Sequence, residues 1–350
     1  MRGLRGLANQ LGLSITTVSR ALDGYDDVAA ETRERVRRAA DAAGYRPNPI
    51  ARRLRKGASE TIALVMPTEP GRFFEAAFEQ LLAVVGAHLA EKRYDLMLLA
   101  ARPGRDEQMV YERIIRERRA DACLVLRTRR NDPRVALLQG AGMPFVCHGR
   151  TDCERPYAFV DGDGAAGFFG LTARLIGLGH RRIAFLGAPD DLMFSSYRRA
   201  GWRRALAQAD LADDLVLALP ATESEGENAA ARLMARADAP SALVCATDRI
   251  AIGAVRAAQA AGLLVGRDVA IAGHDNIHAA QHLSPPLTTM ELDVAAVGAR
   301  MARMTLALLA GAKADGMQEV FTPRQILRES TGEAGAQDPT GQSTMQGRTT

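Results

Sequence analysis

The segment from Leu7 to Leu22 contains polar side chains whose types and spacing could read DNA. Ser14 is placed to cap a helix with its hydroxyl, and Val18, Ala21 and Leu22 would form the buried stripe of that helix. The other face would then present groups that can bond base edges or phosphates in a major groove, namely Ser14, Ile15, Thr16, Thr17, Ser19 and Arg20. The pattern therefore predicts binding to double-stranded DNA.

Two short helices joined by a tight turn would position this face. Ala8 is small at the point where two helices must touch, and Gly12 suits a turn residue with a positive φ angle. A third helix is expected from Val28 to Gly44, because a glycine commonly ends a helix. The three segments predict a small helix-turn-helix head, although the first window alone is also compatible with an ordinary amphipathic hairpin.

A basic segment with two prolines follows, from Tyr45 to Gly57. Its Ile50, Ala51 and Leu54 have helical spacing, but the segment is too short to form a stable helix alone in water. Residues 1–60 contain 12 Lys and Arg against 7 Asp and Glu, whereas the other 290 residues contain 33 against 34. Positive charge is thus concentrated where phosphate contacts are expected.

From Thr61 onward, short apolar runs alternate with longer helical stretches, which is typical of parallel α/β sheets. The runs are Ile62–Met66, Asp95–Leu99, Cys123–Leu126, Phe145–Val146, Ala158–Val160, Arg182–Leu186, Ala242–Val244 and Val269–Ile271. Their number exceeds what one small sheet needs, and the run at Thr61–Pro67 is echoed at Arg182–Pro189. We therefore expect two similar α/β subdomains.

Polar side chains follow several of these runs, at the strand ends where α/β folds place their ligands. The candidate ligand-binding residues are Arg127, His148, Arg198, Thr247, Asp248 and Asp275. Because a guanidinium donates hydrogen bonds to hydroxyl groups and a carboxylate accepts them, this set suits a neutral sugar. Taken one at a time, each residue could instead belong to a structural ion pair.

Together these motifs resemble the LacI/GalR family of bacterial transcription regulators. In the first part of the chain the resemblance rests on Leu11–Leu22, Val28–Tyr45 and Pro47–Leu54. In the second part it rests on motifs in the family's usual order: Leu178–Leu186, Arg198–Trp202, Ala246–Asp248, Ala272–Asn276 and Pro285–Thr289. It covers residues from about 4 to about 332.

The resemblance implies a hinge helix and its DNA contacts. In the family, the segment matching Pro47–Leu54 folds into a helix in the minor groove, where a leucine matching Leu54 wedges between base pairs. Asn48 and Ala51 are further candidate contacts of this hinge. The segment is accordingly expected to be disordered without DNA and helical with it.

The resemblance also implies a sensor domain similar to periplasmic sugar-binding proteins, with a ligand cleft between two subdomains crossed by three strands. Arg198 and Asp275 match the residues that most often hold ligand hydroxyls, and Thr247 stands where a polar amide is common. Phe73 and Phe74 lie where an aromatic or apolar wall is expected.

This chain departs from the family at two helix starts. Gly3 stands where a Thr or Ser cap is usual, with Gly6 inside the first helix, and Ala29 replaces the usual Ser cap of the third. A missing cap costs about 1 kcal/mol and a glycine within a helix up to about 1 kcal/mol. We therefore expect a head that is loosely folded without DNA, unless the true start of the protein lies upstream.

The expected organisation is a helix-turn-helix head over residues 1–46, a hinge over 47–58 and a ligand-binding and dimerisation domain over 59–332. Its two subdomains would comprise about 60–158 with 290–318, and 159–288 with 319–331. The tail over 333–350, rich in Gly, Gln, Ser and Thr, is expected to be disordered. The predicted fold class is an all-α head followed by an α/β domain of two parallel-sheet subdomains.

Enzymatic and metal-dependent functions receive less support. Gly162–Gly167 matches G-x-G-x-x-G, which would favour NAD(P) binding by an oxidoreductase, but in the family this position only begins a helix. Ser195 and Ser196 lack the nucleophile motif of a hydrolase, so no catalytic residue is expected. The four cysteines lack paired spacing, so they are expected to be reduced thiols without a metal site, and no cofactor is expected.

The chain contains no run of about 18 apolar residues and begins with a basic helical segment instead of a signal-peptide core. We therefore expect a cytoplasmic protein that does not contact the membrane. It would act as a homodimeric repressor that reads a palindromic operator and responds to a small effector, a sugar above all. A solute-binding protein without a DNA function remains an alternative, but it would require an export signal.

Overall fold

The computed structural model describes residues 3–46, 57–68 and 76–332. The chain divides into two compact units, Met1–Glu60 and Thr61–Thr350. The expected hinge contacts at residues 48, 51 and 54 and the expected tail at 333–350 lie outside the described residues. No helix of the described ranges is both long and apolar enough to cross a bilayer.

The first unit contains three helices: α1 (Leu4–Leu11), α2 (Ile15–Asp23) and α3 (Ala30–Ala42). Gly12 joins the first two with a φ of 64°, the left-handed conformation that its sequence position predicted. The core between the helices consists of Leu7, Ala8, Val18, Ala21, Val28, Val36 and Ala40. The predicted helix-turn-helix head is confirmed, with a third helix somewhat shorter than expected.

The first residues of these helices are capped or uncapped as the sequence predicted. Ser14 accepts a hydrogen bond from the backbone N–H of Thr17 at 3.0 Å, which caps α2. By contrast, α1 begins at Gly3 and α3 at Ala29, neither of which provides a side-chain cap. The N–H groups of those two first turns therefore depend on water.

The second unit begins with a six-stranded parallel sheet in the order β11-β5-β4-β3-β1-β2. Its strands are β1 (Thr61–Pro67), β2 (Asp95–Ala101), β3 (Ala122–Leu126), β4 (Phe145–His148), β5 (Ala158–Gly162) and β11 (Gln318–Phe321). Helices pack on both faces: α4 (Ala76–Glu91), α5 (Arg105–Glu117), α6 (Pro133–Gly140) and α11 (Val294–Leu309). This is the first lobe.

The second lobe contains a four-stranded parallel sheet in the order β7-β6-β8-β9. Its strands are β6 (Ile183–Gly187), β7 (Val216–Ala218), β8 (Ala242–Cys245) and β9 (Ala270–Ala272). Its helices are α7 (Gly164–Gly177), α8 (Met193–Gln208), α9 (Glu223–Met234) and α10 (Asp248–Ala260). Helices α7 and α8 approach so closely that a Cβ added at Gly201 would collide with the carbonyl oxygen of Ala165.

Three chain segments connect the lobes: one between β5 and α7, one between β10 (Thr289–Glu291) and α11, and one between β11 and β12 (Arg324–Ile326). Strands β10 and β12 pair antiparallel, and Arg324 and Glu291 form an ion pair at 2.7 Å. The first sheet extends beyond the boundaries expected at 158 and 318, because β5 and β11 pair with each other and, through β4, with the rest of that sheet. The chain therefore passes from the first lobe to the second after β5 and after β11, and not before these strands.

Candidate functional site

The exposed face of α2 presents most of the side chains predicted to meet DNA. Ile15 is 40% exposed, Thr16 and Arg20 are also exposed, and Thr17 is half-buried. Ser19 departs from the prediction, since only 8% of it is accessible. It follows Val18 by about 100° of helical rotation, so it borders the buried stripe, and we remove it from the candidate DNA contacts.

Arg20 is held by the turn that follows α2. Its Nε donates to Oδ1 of Asp27 at 3.2 Å, and its guanidinium lies 4.9 Å from the ring centroid of Tyr25. Both members of the ion pair are about half exposed, so the pair contributes little to stability. The guanidinium can therefore exchange Asp27 for a base edge at small cost.

A cavity of about 240 Å³ lies between the two lobes of the second unit. Five of the candidate ligand-binding residues line it: Arg127, His148, Arg198, Thr247 and Asp275. Apolar and aromatic groups complete the wall, including Phe78, Leu126, Phe194, Tyr197 and Leu292. Phe73 and Phe74, the expected aromatic wall, lie outside the described residues.

Arg198, on α8, dominates the wall formed by the second lobe. Its guanidinium donates to the carbonyl oxygen of Ala246 and lies 4.8 Å from the ring centroid of Phe194. Its Nη2 atom is 3.4 Å from Nε2 of His274 and 3.8 Å from Oδ1 of Asp275. One cation, one imidazole and one carboxylate thus meet at the edge of the cavity.

His274 is neutral at pH 7, because burial and the nearby charge of Arg198 lower its pKa. Its Nδ1 lies 2.7 Å from Oδ1 of Asp275, so the ring donates its proton to that carboxylate. Nε2 then remains as an acceptor directed at Arg198. His148 also lines the cavity, and burial, as the largest influence, lowers its pKa as well.

The opposite wall belongs mainly to the first lobe. Asp161, at the end of β5, accepts from Nε of Arg150 at 2.7 Å and from the backbone N–H of Gly162 at 2.8 Å. The Arg150 guanidinium lies 4.1 Å from the ring centroid of Tyr197, which belongs to the second lobe. This cation–π contact links the two walls.

Asp248 has a structural position instead of the predicted ligand-binding one. It does not line the cavity and is fully buried, where its carboxylate accepts from the Thr289 hydroxyl at 2.6 Å and from the N–H of Ile277 at 2.9 Å. Burial raises its pKa to about 7, with a further contribution from the charge of Asp275. We therefore remove Asp248 from the candidate ligand contacts.

Its neighbour Thr247 remains a candidate. The Thr247 hydroxyl accepts a hydrogen bond from the N–H of Ile250 at 3.4 Å and so caps α10. A hydroxyl that accepts in this way can still donate its own proton into the cavity.

The cavity contains two arginines, Arg127 and Arg198, and two carboxylates, Asp161 and Asp275, so its fixed charges balance. Its imidazoles are neutral, and much of the remaining surface is apolar. Such a site stabilises a neutral ligand that both donates and accepts hydrogen bonds.

Two family models match the chain: bacterial regulatory proteins of the lacI family over residues 4–48, and a periplasmic binding protein-like domain over residues 172–331. The transcriptional regulator AglR of Rhizobium meliloti (strain 1021) is 38% identical over 342 residues, which cover 96% of this chain and 96% of AglR. This chain belongs to the LacI family. The predicted membership of this family is thereby confirmed.

Two solved structures have the same fold as this LacI-family protein. The structure of a complex of the transcriptional regulator CelR with cellobiose is 31% identical, has a TM-score of 0.73 and covers 94% of this chain and 100% of CelR. The Lac repressor dimer bound to operator and an anti-inducer is 22% identical, with a TM-score of 0.80 and coverage of 94% and 99%. The chain is a DNA-binding transcription regulator, as its sequence predicted.

In this LacI-family protein the G-x-G-x-x-G glycines serve packing. A Cβ added at Gly162 would meet Leu292, one at Gly164 would lie 3.1 Å from Cγ of Arg198, and one at Gly167 would lie 2.8 Å from Pro323. Asp163 caps the helix that begins here by accepting from the N–H of Ala166 at 2.9 Å. The chain's own side chains therefore pack directly against these glycines, and the similarity to transcription regulators does not favour the oxidoreductase alternative.

Sequence reasoning missed several groups at the cavity of this LacI-family protein. Asp161 follows an apolar run just as Asp275 does. The expectation that ligands bind at the ends of parallel strands, which selected Asp275, could therefore have selected Asp161 too. Tyr197 precedes Arg198 on a helix, and His274 precedes Asp275. No pattern in the sequence separates these cavity residues from their neighbours.

Proposed function

We propose that this LacI-family regulator is a homodimeric repressor whose affinity for a palindromic operator is controlled by a sugar bound between the lobes of its second unit. The observation that carries the proposal is the charge-balanced cavity, with Arg198 and Asp275 on one wall and Asp161 on the other. The protein would act in the cytoplasm, where its operator DNA lies.

Some polar groups of the cavity would donate hydrogen bonds to a sugar and others would accept them. Arg198 donates two hydrogen bonds to adjacent hydroxyls, while Asp275 and Asp161 accept from others. Phe194, which lines the cavity, offers an apolar surface to the carbon face of the ring. An anionic ligand would instead find no net positive charge, because the two carboxylates of the lining already balance its two arginines.

The lobes also touch beside the cavity, so a ligand bound between them can influence their spacing. The N–H of Met193 donates to the carbonyl oxygen of Thr128 at 3.0 Å, and the N–H of Arg130 donates to that of Asp191 at 2.9 Å. A ligand that bonds both walls favours one spacing of the lobes over another. It can change operator affinity only by as much as it prefers that spacing.

Two solved relatives support the sugar ligand and the dimer on operator DNA. CelR was solved with cellobiose, and the Lac repressor was solved as a dimer on its operator. A two-fold protein that reads two half-sites requires a palindromic operator.

Calorimetry on the full-length protein tests the proposal. The titrants would be cellobiose, other di- and trisaccharides, monosaccharides, nucleobases and NAD⁺. We expect one sugar to bind with one site per chain and to change binding to an operator obtained by selection from random DNA. A nucleobase that binds while every sugar fails would refute the sugar assignment, and selection that yields no preferred palindrome would refute the operator assignment.

A further inference from the structure

Two histidines lie close together on the second lobe, apart from the cavity lining. His278 and His282 are the first and last residues of a short 3₁₀ helix, and both are exposed. Their ring centroids are 4.5 Å apart and their Nε2 atoms are 3.3 Å apart. The two nitrogens thus face each other at the protein surface.

This separation matches the geometry of two ligands on one metal ion. Zn²⁺–N bonds are about 2.0–2.1 Å long, so a tetrahedral angle between two of them places the nitrogens about 3.3–3.4 Å apart. Imidazole nitrogen is a preferred ligand of Zn²⁺, Ni²⁺ and Cu²⁺. We propose that His278 and His282 bind one divalent transition-metal ion through their Nε2 atoms.

A third polar group stands beside the pair. The side-chain nitrogen of Gln281 is 3.3 Å from Nε2 of His282, so a half-turn of the amide would bring its oxygen toward the same position. Water would complete the coordination from the solvent side, as is usual where protein ligands are few.

The backbone that carries the pair is fixed before any metal arrives. Ile277 donates its N–H to the buried carboxylate of Asp248 at 2.9 Å, and the carbonyl oxygen of Ala280 accepts from the N–H of Leu287 at 2.9 Å. Ala280, between the two histidines, is completely buried. Binding therefore requires little ordering of the chain, which favours affinity.

A hydrogen bond between the two rings is the competing explanation of the 3.3 Å distance. It would require a proton on one Nε2, whereas metal binding requires both Nε2 atoms to be free of protons and both protons to be on Nδ1. Titration with metal tests the site directly, because an ion can bind both Nε2 atoms once the shared proton has moved to Nδ1 or to solvent.

The test is calorimetric titration of chelator-treated full-length protein with NiCl₂ and with ZnCl₂. We expect one ion per chain, with affinity reduced at least about tenfold in His278→Ala and in His282→Ala. His88→Ala is the matched control, because it removes an imidazole from α4 and should leave binding unchanged. Circular dichroism verifies that each variant folds. Unchanged affinity in either pair variant would overturn the site.

Amide hydrogen exchange supplies an independent readout in the wild-type protein. Ni²⁺ should slow exchange across residues 277–283, and it should not do so in the His282→Ala variant. Exchange that is unaffected by saturating Ni²⁺ in the wild type would also overturn the proposal. Neither measurement depends on the identity of the effector or of the operator.

Discussion

The two units of this protein differ in how their helices begin. Among the described helices of the first unit, only α2 has a side-chain cap, from Ser14, while Gly3 and Ala29 leave the first turns of α1 and α3 without one. In the second unit, five helices are capped by a side-chain oxygen, from Asp132, Asp163, Thr222, Thr247 and Asp293. Each missing cap leaves N–H groups that water must satisfy.

The cores differ in the same direction. The head core consists of seven buried aliphatic residues, whereas the second lobe buries Trp202, Phe168 and Phe185 together. Aromatic side chains bury more area and contribute more stability than alanine or valine. The head is thus the less stable unit, and contacts with DNA can add to its stability. Removing an interaction should therefore lower the unfolding free energy most in the second unit, and adding one should raise it most in the head.

The largest expected effect is at a capping residue of the second unit. Asp132 accepts from the N–H and Nε of Arg134, at 3.0 and 2.9 Å, and Arg134 also donates to the buried Glu107 at 2.9 Å. Asp132→Ala leaves the buried guanidinium without this carboxylate and should cost about 3–5 kcal/mol of unfolding free energy. Denaturant unfolding followed by the fluorescence of Trp202, the single tryptophan, measures it.

The pH dependence of stability sharpens this prediction. Burial acts to raise the pKa of Asp132, but the hydrogen bonds and charge of Arg134 outweigh it, so the folded-state pKa lies below the ordinary value of 3.8. The stability from this carboxylate is then fully present above pH 4 and lost as pH falls through the folded-state pKa. Asp132→Asn should lack that component of acid unfolding. An unfolding free energy of Asp132→Ala within 1 kcal/mol of the wild-type value would contradict the assignment.

The next effect concerns the ligand. Arg198→Ala should weaken binding of the best sugar at least about tenfold, because a charge-assisted hydrogen bond contributes about 1.5–3 kcal/mol. It should also reduce the effect of that sugar on operator binding, while operator affinity without sugar stays unchanged. Arg199→Ala is the control, since its partner is Asp190 at 2.6 Å and it does not line the cavity. Equal sugar affinity in the wild type and in Arg198→Ala would assign Arg198 a purely structural role.

In the head, Arg20→Ala should reduce operator binding by about 1–3 kcal/mol and leave binding to random DNA nearly intact. Asp27→Ala is the complementary variant, because it removes the partner of Arg20 and keeps the guanidinium. Fluorescence anisotropy with operator and random duplexes measures both. Similar losses on the two duplexes would show that Arg20 contacts only phosphate.

The smallest effect is a gain. Ala29→Ser supplies the missing cap of α3 and should stabilise the head by about 0.5–2 kcal/mol, whereas Ser14→Ala should destabilise it by a similar amount. Amide exchange of the buried residues Val36 and Ala40 in the full chain reports the change. If neither variant alters exchange in the head, helix capping does not explain the difference between the two units.

Much of the fold could be predicted from the sequence, for physical reasons. Buried parallel strands appear as continuous apolar runs, so β1, β3, β6 and β8 were predicted close to their observed bounds. The strands that were missed are short and partly exposed, such as β11, whose residues alternate between exposed and half-buried positions. Such strands depend on neighbours that are distant in the sequence.

The candidate site could be predicted in position but not in detail. The expectation that ligands bind at strand ends identified Thr247 and Asp275 at the cavity, yet it also selected Asp248, whose carboxylate points into the core. Adjacent residues at a helix start face different directions, and only the packed structure decides which one meets the ligand. Ser19 was misplaced for the same reason, at the border of a helical face.

The contact between α7 and α8 at Gly201 sets a rule for engineering new effector specificity. Gly201 lies one turn from Arg198, and a side chain there would collide with Ala165 and displace the helix that carries the arginine. A library that randomises the cavity lining but keeps this glycine would yield variants with new ligand preferences and an unchanged packing of α7 against α8. Selections that alter Gly201 would instead recover chains whose response to any effector is lost.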